Sequence, residues 1–211
     1  RGNSNAIALR THYAQHSFIS HCFIDVGDAK AGIFDVGNIM EDVHIRGGQY
    51  GIITTKCSPG WPFVMIDTSF KGQKKAAIKS REAGLTIIRT KVSDTPKFLT
   101  VDDDYWEKLY LEDSTLENIS DAAIEISCEN NVFSQYNIRN VSCIRTKNRA
   151  VFKESGKVIK GRGDAYHIRR FVHGLQKDLS QGDYSICTTV EIDELNETNL
   201  DISSDMPALP N

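Results

Sequence analysis

The stretch TVDDDYWEKLY, residues 100–110, sets Asp102, Asp103 and Asp104 directly before Tyr105 and Trp106. Carboxylates beside aromatic rings suit cleavage of a glycosidic bond. One carboxyl protonates the leaving oxygen, a second acts as base or nucleophile, and ring faces stack on the apolar side of a sugar. Asp103, Asp104 and the nearby Glu112 are therefore the expected catalytic carboxyls, with Tyr105 and Trp106 as substrate platforms. Clustered carboxylates also suit calcium, the one cofactor this pattern leaves open. A solvated acidic turn is the plain alternative.

Two further groups of residues bear on the same chemistry. SPGWP, residues 58–62, is a stiff loop that either presents Trp61 to a sugar ring or folds it back as a lid. Lys71, Lys74, Lys75, Lys79 and Arg81 form a basic run. Such a run either holds an acidic polysaccharide or is simply a solvated face. In a polysaccharide lyase, Lys79, Arg81 or Arg89 would be the base that removes the proton α to a uronate. No Gly-x-Gly-x-x-Gly, phosphate-binding loop, His-Glu-x-x-His or Gly-x-Ser-x-Gly is present, which weakens nucleotide, metalloprotease and serine-hydrolase readings.

The totals exclude other classes. The 211 residues carry a net charge of -3, so no overall field draws the chain to nucleic acid. The sequence holds no apolar run long enough to span a bilayer. Five cysteines, with no Cys-x-x-Cys, argue against a zinc site and for free thiols. The chain begins at Arg1 without Met and ends DMPALPN, which reads as a fragment or a processed chain. Asn118, Asn140 and Asn196 head glycosylation sequons that matter only in a secretory pathway.

What could position these residues is a repeat. Ile19, Val43, Met65, Ile87, Leu111 and Ile138 recur about every 22–27 residues in similar alternating segments. A second track, a small residue followed by Ile, appears in Ala31–Ile33, Tyr50–Ile52, Ala76–Ile78 and Ala122–Ile124. That period is too short for two-helix repeats, and the leucine-rich signature is missing. It fits a parallel β-helix whose short strands alternate in and out. Gly47-Gly48 is then a corner needing positive φ. Residues two places after each anchor stack about 4.8 Å apart, so Asp67, Arg89 and Asp113 form a charge-alternating ladder. The ladder is either a set of mutually satisfied corner residues or the polar strip of a saccharide groove, with Asp67 and Arg89 as substrate contacts. Residues 72–84 could locally be a helix, but the repeat register favours a strand at Ala76–Ile78.

The expected organisation is an all-β chain. A parallel β-helix of about six coils spans 1–149, an antiparallel β extension 150–180, and an extended C-terminal linker 181–211. The segments DVHIRGGQYGI, PGWPFVMIDTSFKGQ and AAIKSREAGLTIIR resemble the pectin-lyase-like right-handed β-helix superfamily. Within it they are most similar to glycoside hydrolase family 55-like proteins, over roughly residues 17–145. The resemblance implies activity on β-1,3-glucans, an extracellular or periplasmic setting, and a cleft shared with a second β-helix. It transfers no catalytic residue to this chain. The leading expectation is a carbohydrate-active domain of a polysaccharide-degrading hydrolase. The alternatives are a lyase on an acidic glycan and a non-catalytic glycan-binding or structural β-helix.

Overall fold

The chain was described from a computed structural model, which covers residues 3–12, 17–35, 37, 39–57 and 60–195. Among these every regular element is a strand. In chain order they are β1 (Ile7–Arg10), β2 (Phe18–Gly27), β3 (Ala31–Asp35), β4 (Ile39–Gly47) and β5 (Tyr50–Thr55). Then come β6 (Phe63–Ile66), β7 (Ser69–Lys71), β8 (Ala76–Arg81), β9 (Leu85–Ile88), β10 (Lys91–Val101) and β11 (Lys108–Ile126). The last are β12 (Gln135–Ile144), β13 (Asn148–Phe152), β14 (Val158–Lys160), β15 (Ala165–Lys177) and β16 (Tyr184–Glu194).

Parallel pairing winds them into a β-solenoid of about six turns with three faces. The first face stacks the starts of β2 and β4 on β6, β9 and the starts of β11 and β12. The second takes the ends of β2 and β4, then β7 and the following parts of β10, β11 and β12. The third runs β1, β3, β5, β8 and the ends of β10 and β11 to β13. Residues 72–84 hold no helix: Ala76–Ile78 lies in β8, as the repeat register required.

The interior is built from aligned apolar columns. Met40, Met65, Ile87 and Leu111 stack in register on the first face, and Ile33, Ile52, Ile78, Leu99 and Ile124 on the third. Each of these side chains is fully buried and contributes roughly 1.5–3 kcal/mol by leaving water. The small residue before the third-face Ile has a steric cause. A Cβ on Gly51 would come within 2.6 Å of Phe70 Cδ1, and one on Gly32 within 2.8 Å of Ile45 Cγ2.

One anchor is corrected. Ile19 pairs with Met40, not Val43, because Cys22 is the partner of Val43. The second turn was therefore displaced by three residues. The cause is a β4 strand that carries apolar side chains on both sides of its bend, so alternation alone could not choose between them. With Met40 in place, the residue five positions on is Ile45 rather than Gly48, and that column becomes wholly apolar.

Parallel winding ends at the C-terminal side. Strand β15 pairs antiparallel with β12, and β16 antiparallel with β15, closing the end of the coil with Tyr166, Ile168, Phe171 and His173. Tyr184–Glu194 is therefore a paired strand where the sequence suggested linker. Its Val190 and Ile192 pack against the core, an energy that its polar composition concealed. Residues 196–211, with Asn196, lie outside the described residues.

Candidate functional site

The bend between the first and second faces is one residue long on every turn. It is occupied by His21, Asp42, Asp67, Arg89, Asp113 and Asn140, all with φ between 50 and 53°. An L-residue pays about 1 kcal/mol or more for this left-handed conformation, least for Asn and Asp. The side chains offset that cost along the stack. Arg89 donates to both Asp67 oxygens, at 2.6 and 2.7 Å, Asn140 Nδ2 donates to Asp113, and His21 reaches Asp42 at 2.6 Å. The expected Asp67–Arg89 pair is thus formed, while Asp113 turns to Asn140. In the second turn the ladder residue is Asp42, not Ile45. Just inside the bend, Thr68 and Thr90 hydroxyls bond at 2.7 Å and Ser114 Oγ accepts the Thr90 N–H at 3.0 Å, a buried polar ladder that sequence reading missed.

The corner between the third and first faces is irregular. It is short before Leu85 and longer before Leu109 and Tyr136. Its centre is Glu107, fully buried, whose carboxylate accepts from the N–H groups of Ala83 (3.1 Å), Gly84 (2.8 Å) and Lys108 (2.9 Å) and from the Ser80 hydroxyl. Burial pushes the Glu107 carboxyl up, against the pull of these donors. Glu107 thereby ties two successive corners together. The alternation Glu107, Leu109, Leu111 puts the glutamate in the inward phase, which is the signal that could have revealed it.

With the corner held from inside, its outer side presents aromatics. The Trp106 and Phe133 rings lie 5.4 Å apart on successive turns. Lys108 Nζ sits 5.5 Å from the Trp106 ring centre and 5.9 Å from that of Phe133, and Lys56 Nζ is 6.0 Å from Trp106. Lys108 also lines an open groove of about 380 Å³ on the first face, with Pro62, Leu85, Thr86, Tyr110 and Asn137. Trp61 precedes the groove residue Pro62. It is 42% exposed and its N–H donates to Cys57 Sγ at 3.2 Å, so it is presented rather than folded inward. Ser58 and Pro59 of its loop lie outside the described residues.

The expected catalytic carboxyls are not gathered. Glu112 is on the first face, where the Tyr110 hydroxyl donates to it at 2.7 Å beside the groove. Asp103 pairs with Lys153 at 3.0 Å, beyond the end of the third face. Asp104 holds a left-handed turn position with φ of 65° and lies near Cys128, whose thiol is pushed up by burial and by surrounding carboxylates. Tyr105 stands apart from Trp106, with the Arg81 guanidinium 5.1 Å from its ring centre. Asp102 bridges Lys79, at 2.9 Å, and Arg81. Hydrogen bonding to Asp102 raises Arg81, and hydrogen bonding to Asp67 raises Arg89. Both guanidiniums are thus held firmly protonated. Among the described residues no cluster of His, Cys, Asp and Glu has metal-holding geometry, and no helix is long and apolar enough to cross a membrane.

The fold and these corners define the class: a parallel β-solenoid with one regular and one irregular corner. No protein-family profile matches the chain, and no curated protein matches it.

Proposed function

We propose that the chain is a carbohydrate-active β-helix domain of a polysaccharide-degrading glycoside hydrolase, and that its own part is to hold glycan along the first-face groove. The observation that carries this reading is the corner where Trp106, Phe133, Lys56 and Lys108 flank that groove, with Trp61 presented beside it. Rigid ring faces take the CH face of a sugar, and ammonium groups above them take its hydroxyls or acidic substituents.

Cleavage requires two carboxyls separated by roughly 5–10 Å. Glu112 offers one beside the groove, while Asp103 is engaged with Lys153 on another side of the corner. Binding is therefore better supported than hydrolysis by this chain alone, and a second β-helix completing the cleft is part of the proposal. A lyase mechanism is disfavoured, because carboxylates hold the protons of Arg81 and Arg89, and Lys79 is paired with Asp102 at 2.9 Å. The resemblance to family 55-like proteins makes β-1,3-glucan the first ligand to try and an extracellular or periplasmic setting the natural one. Affinity electrophoresis against laminarin, polygalacturonate and alginate tests the reading. Retardation by at least one glycan, relieved in W106A, is expected; migration unchanged in all three gels would remove it.

A further inference from the structure

On the outer side of the second face, Phe23, His44, Ser69 and Lys91 follow one another in register on successive turns. His44 Nε2 lies 3.0 Å from Asp42 Oδ1, and His44 Nδ1 lies 2.8 Å from Ser69 Oγ. The other Asp42 oxygen, Oδ2, accepts from His21 Nδ1 at 2.6 Å. The His21 hydrogen bond holds the Asp42 carboxyl below the usual carboxylate range, so it stays ionised and only accepts. His44 Nε2 then donates to Asp42, and in the neutral ring the Nδ1 lone pair accepts the Ser69 hydroxyl proton. A serine bonded to an imidazole lone pair, with the opposite ring nitrogen fixed by a carboxylate, is how a hydroxyl is activated as a nucleophile. That constellation is recognised by geometry and not by sequence order, so the missing Gly-x-Ser-x-Gly does not weigh against it.

We propose that Ser69 and His44 form an acyl-transfer site for small carboxylic esters, with Asp42 and His21 as positioning residues. Ser69 Oγ attacks the ester carbonyl carbon as its proton passes to His44 Nδ1. The C–O bond to the alcohol then breaks, and the leaving alkoxide takes that proton from His44. Water adds to the acyl-Ser69 ester with His44 again accepting the proton, and collapse returns the proton to Ser69 Oγ and releases the carboxylic acid. Asp42 remains a carboxylate throughout and stabilises the imidazolium. Ser69 keeps 5% of its surface and His44 9%, which restricts the acyl group to a small one. Phe23, 40% exposed with the Arg46 guanidinium 5.5 Å from its ring centre, stands one rung before His44, and Lys91 stands one rung beyond Ser69.

The site is independent of the glycan groove, and its test uses no glycan. The intact chain is treated with a fluorophosphonate, and the adduct is located by peptide mass spectrometry; turnover of p-nitrophenyl acetate is followed in parallel. A stoichiometric adduct on Ser69 is expected, with acetate turnover about 100-fold lower in H44Q. In D42N, kcat should fall while KM holds, which loss of packing alone would not produce. An unlabelled Ser69 in the folded wild-type chain overturns the proposal whatever the variants do. Labelling equal in wild type and H44Q also overturns it, and unchanged kcat in D42N removes the role given to Asp42.

Discussion

Two corners of the same coil follow opposite rules. The bend between the first and second faces is one residue long on every turn, always left-handed, and lined by polar side chains that bond to the next turn. The corner between the third and first faces varies in length and carries Trp61, Tyr105, Trp106, Phe133 and the buried Glu107. A fixed backbone bend leaves its side chains only each other to satisfy. A corner free to lengthen can present rings to solvent, but it then needs an internal anchor. Sites on a solenoid are therefore best sought where the period is broken. The first two bends depart from the later ones, since Asp42 is bonded by His21 from the turn before and by His44 from its own strand.

The sharpest way to break this contrast is to remove the anchor. E107A strands the N–H groups of Ala83, Gly84 and Lys108 in a dry interior. It should cost about 3–5 kcal/mol and lower Tm by roughly 10 °C in a thermal melt. A Tm within a degree of wild type would mean the irregular corner does not depend on Glu107. The pH dependence sharpens the point. Because burial raises the Glu107 carboxyl above its ordinary 4.5, the folded state takes up a proton before the unfolded state does. Its stability contribution is thus fullest below that ordinary value and is lost as pH rises through the folded one. Measured against E107Q by urea unfolding, wild type should gain relative stability on acidification; a flat difference would contradict the assignment.

Next in size, W106A should weaken glycan binding about tenfold, the scale of one lost stacking contact, with little change in Tm. Isothermal titration with the retained glycan measures it, and equal affinity would move the site away from this corner. T90V, on the inner side of the regular bend, leaves the Thr68 hydroxyl without its partner and should cost about 1–2 kcal/mol in chemical denaturation. R89A should cost less than about 1 kcal/mol, because its pair with Asp67 is largely solvated. An R89A loss as large as that of E107A would erase the distinction between the two corners.

Much of the regular part was legible. The four segments of the second track do lie in one column, where large residues opposite Gly32 and Gly51 admit only hydrogen, but the Leu99 rung between Ile78 and Ile124 was missed because its segment lacks the small residue and the Ile. The Asp67–Arg89 contact followed from the period alone. The shift at Val43 did not reveal itself, since Cys22 and Val43 also form an apolar pair three residues further on. Of the proposed site residues, Trp61 and Trp106 were visible as aromatics in loops. Phe133 and Lys56 join them only because residues 27 and 50 positions from Trp106 land one and two rungs away.

Composition and spacing by themselves determined that this chain coils as parallel strands, because alternation with a period of about 22–27 residues leaves few other ways to bury its aliphatic side chains. Which residue stands at each bend, that Glu107 lies inside while Asp103 lies outside, and that Tyr184–Glu194 pairs with β15 were decided by tertiary structure. Those outcomes depend on what each side chain meets on the turns above and below it, and that neighbourhood exists only once the strands have stacked.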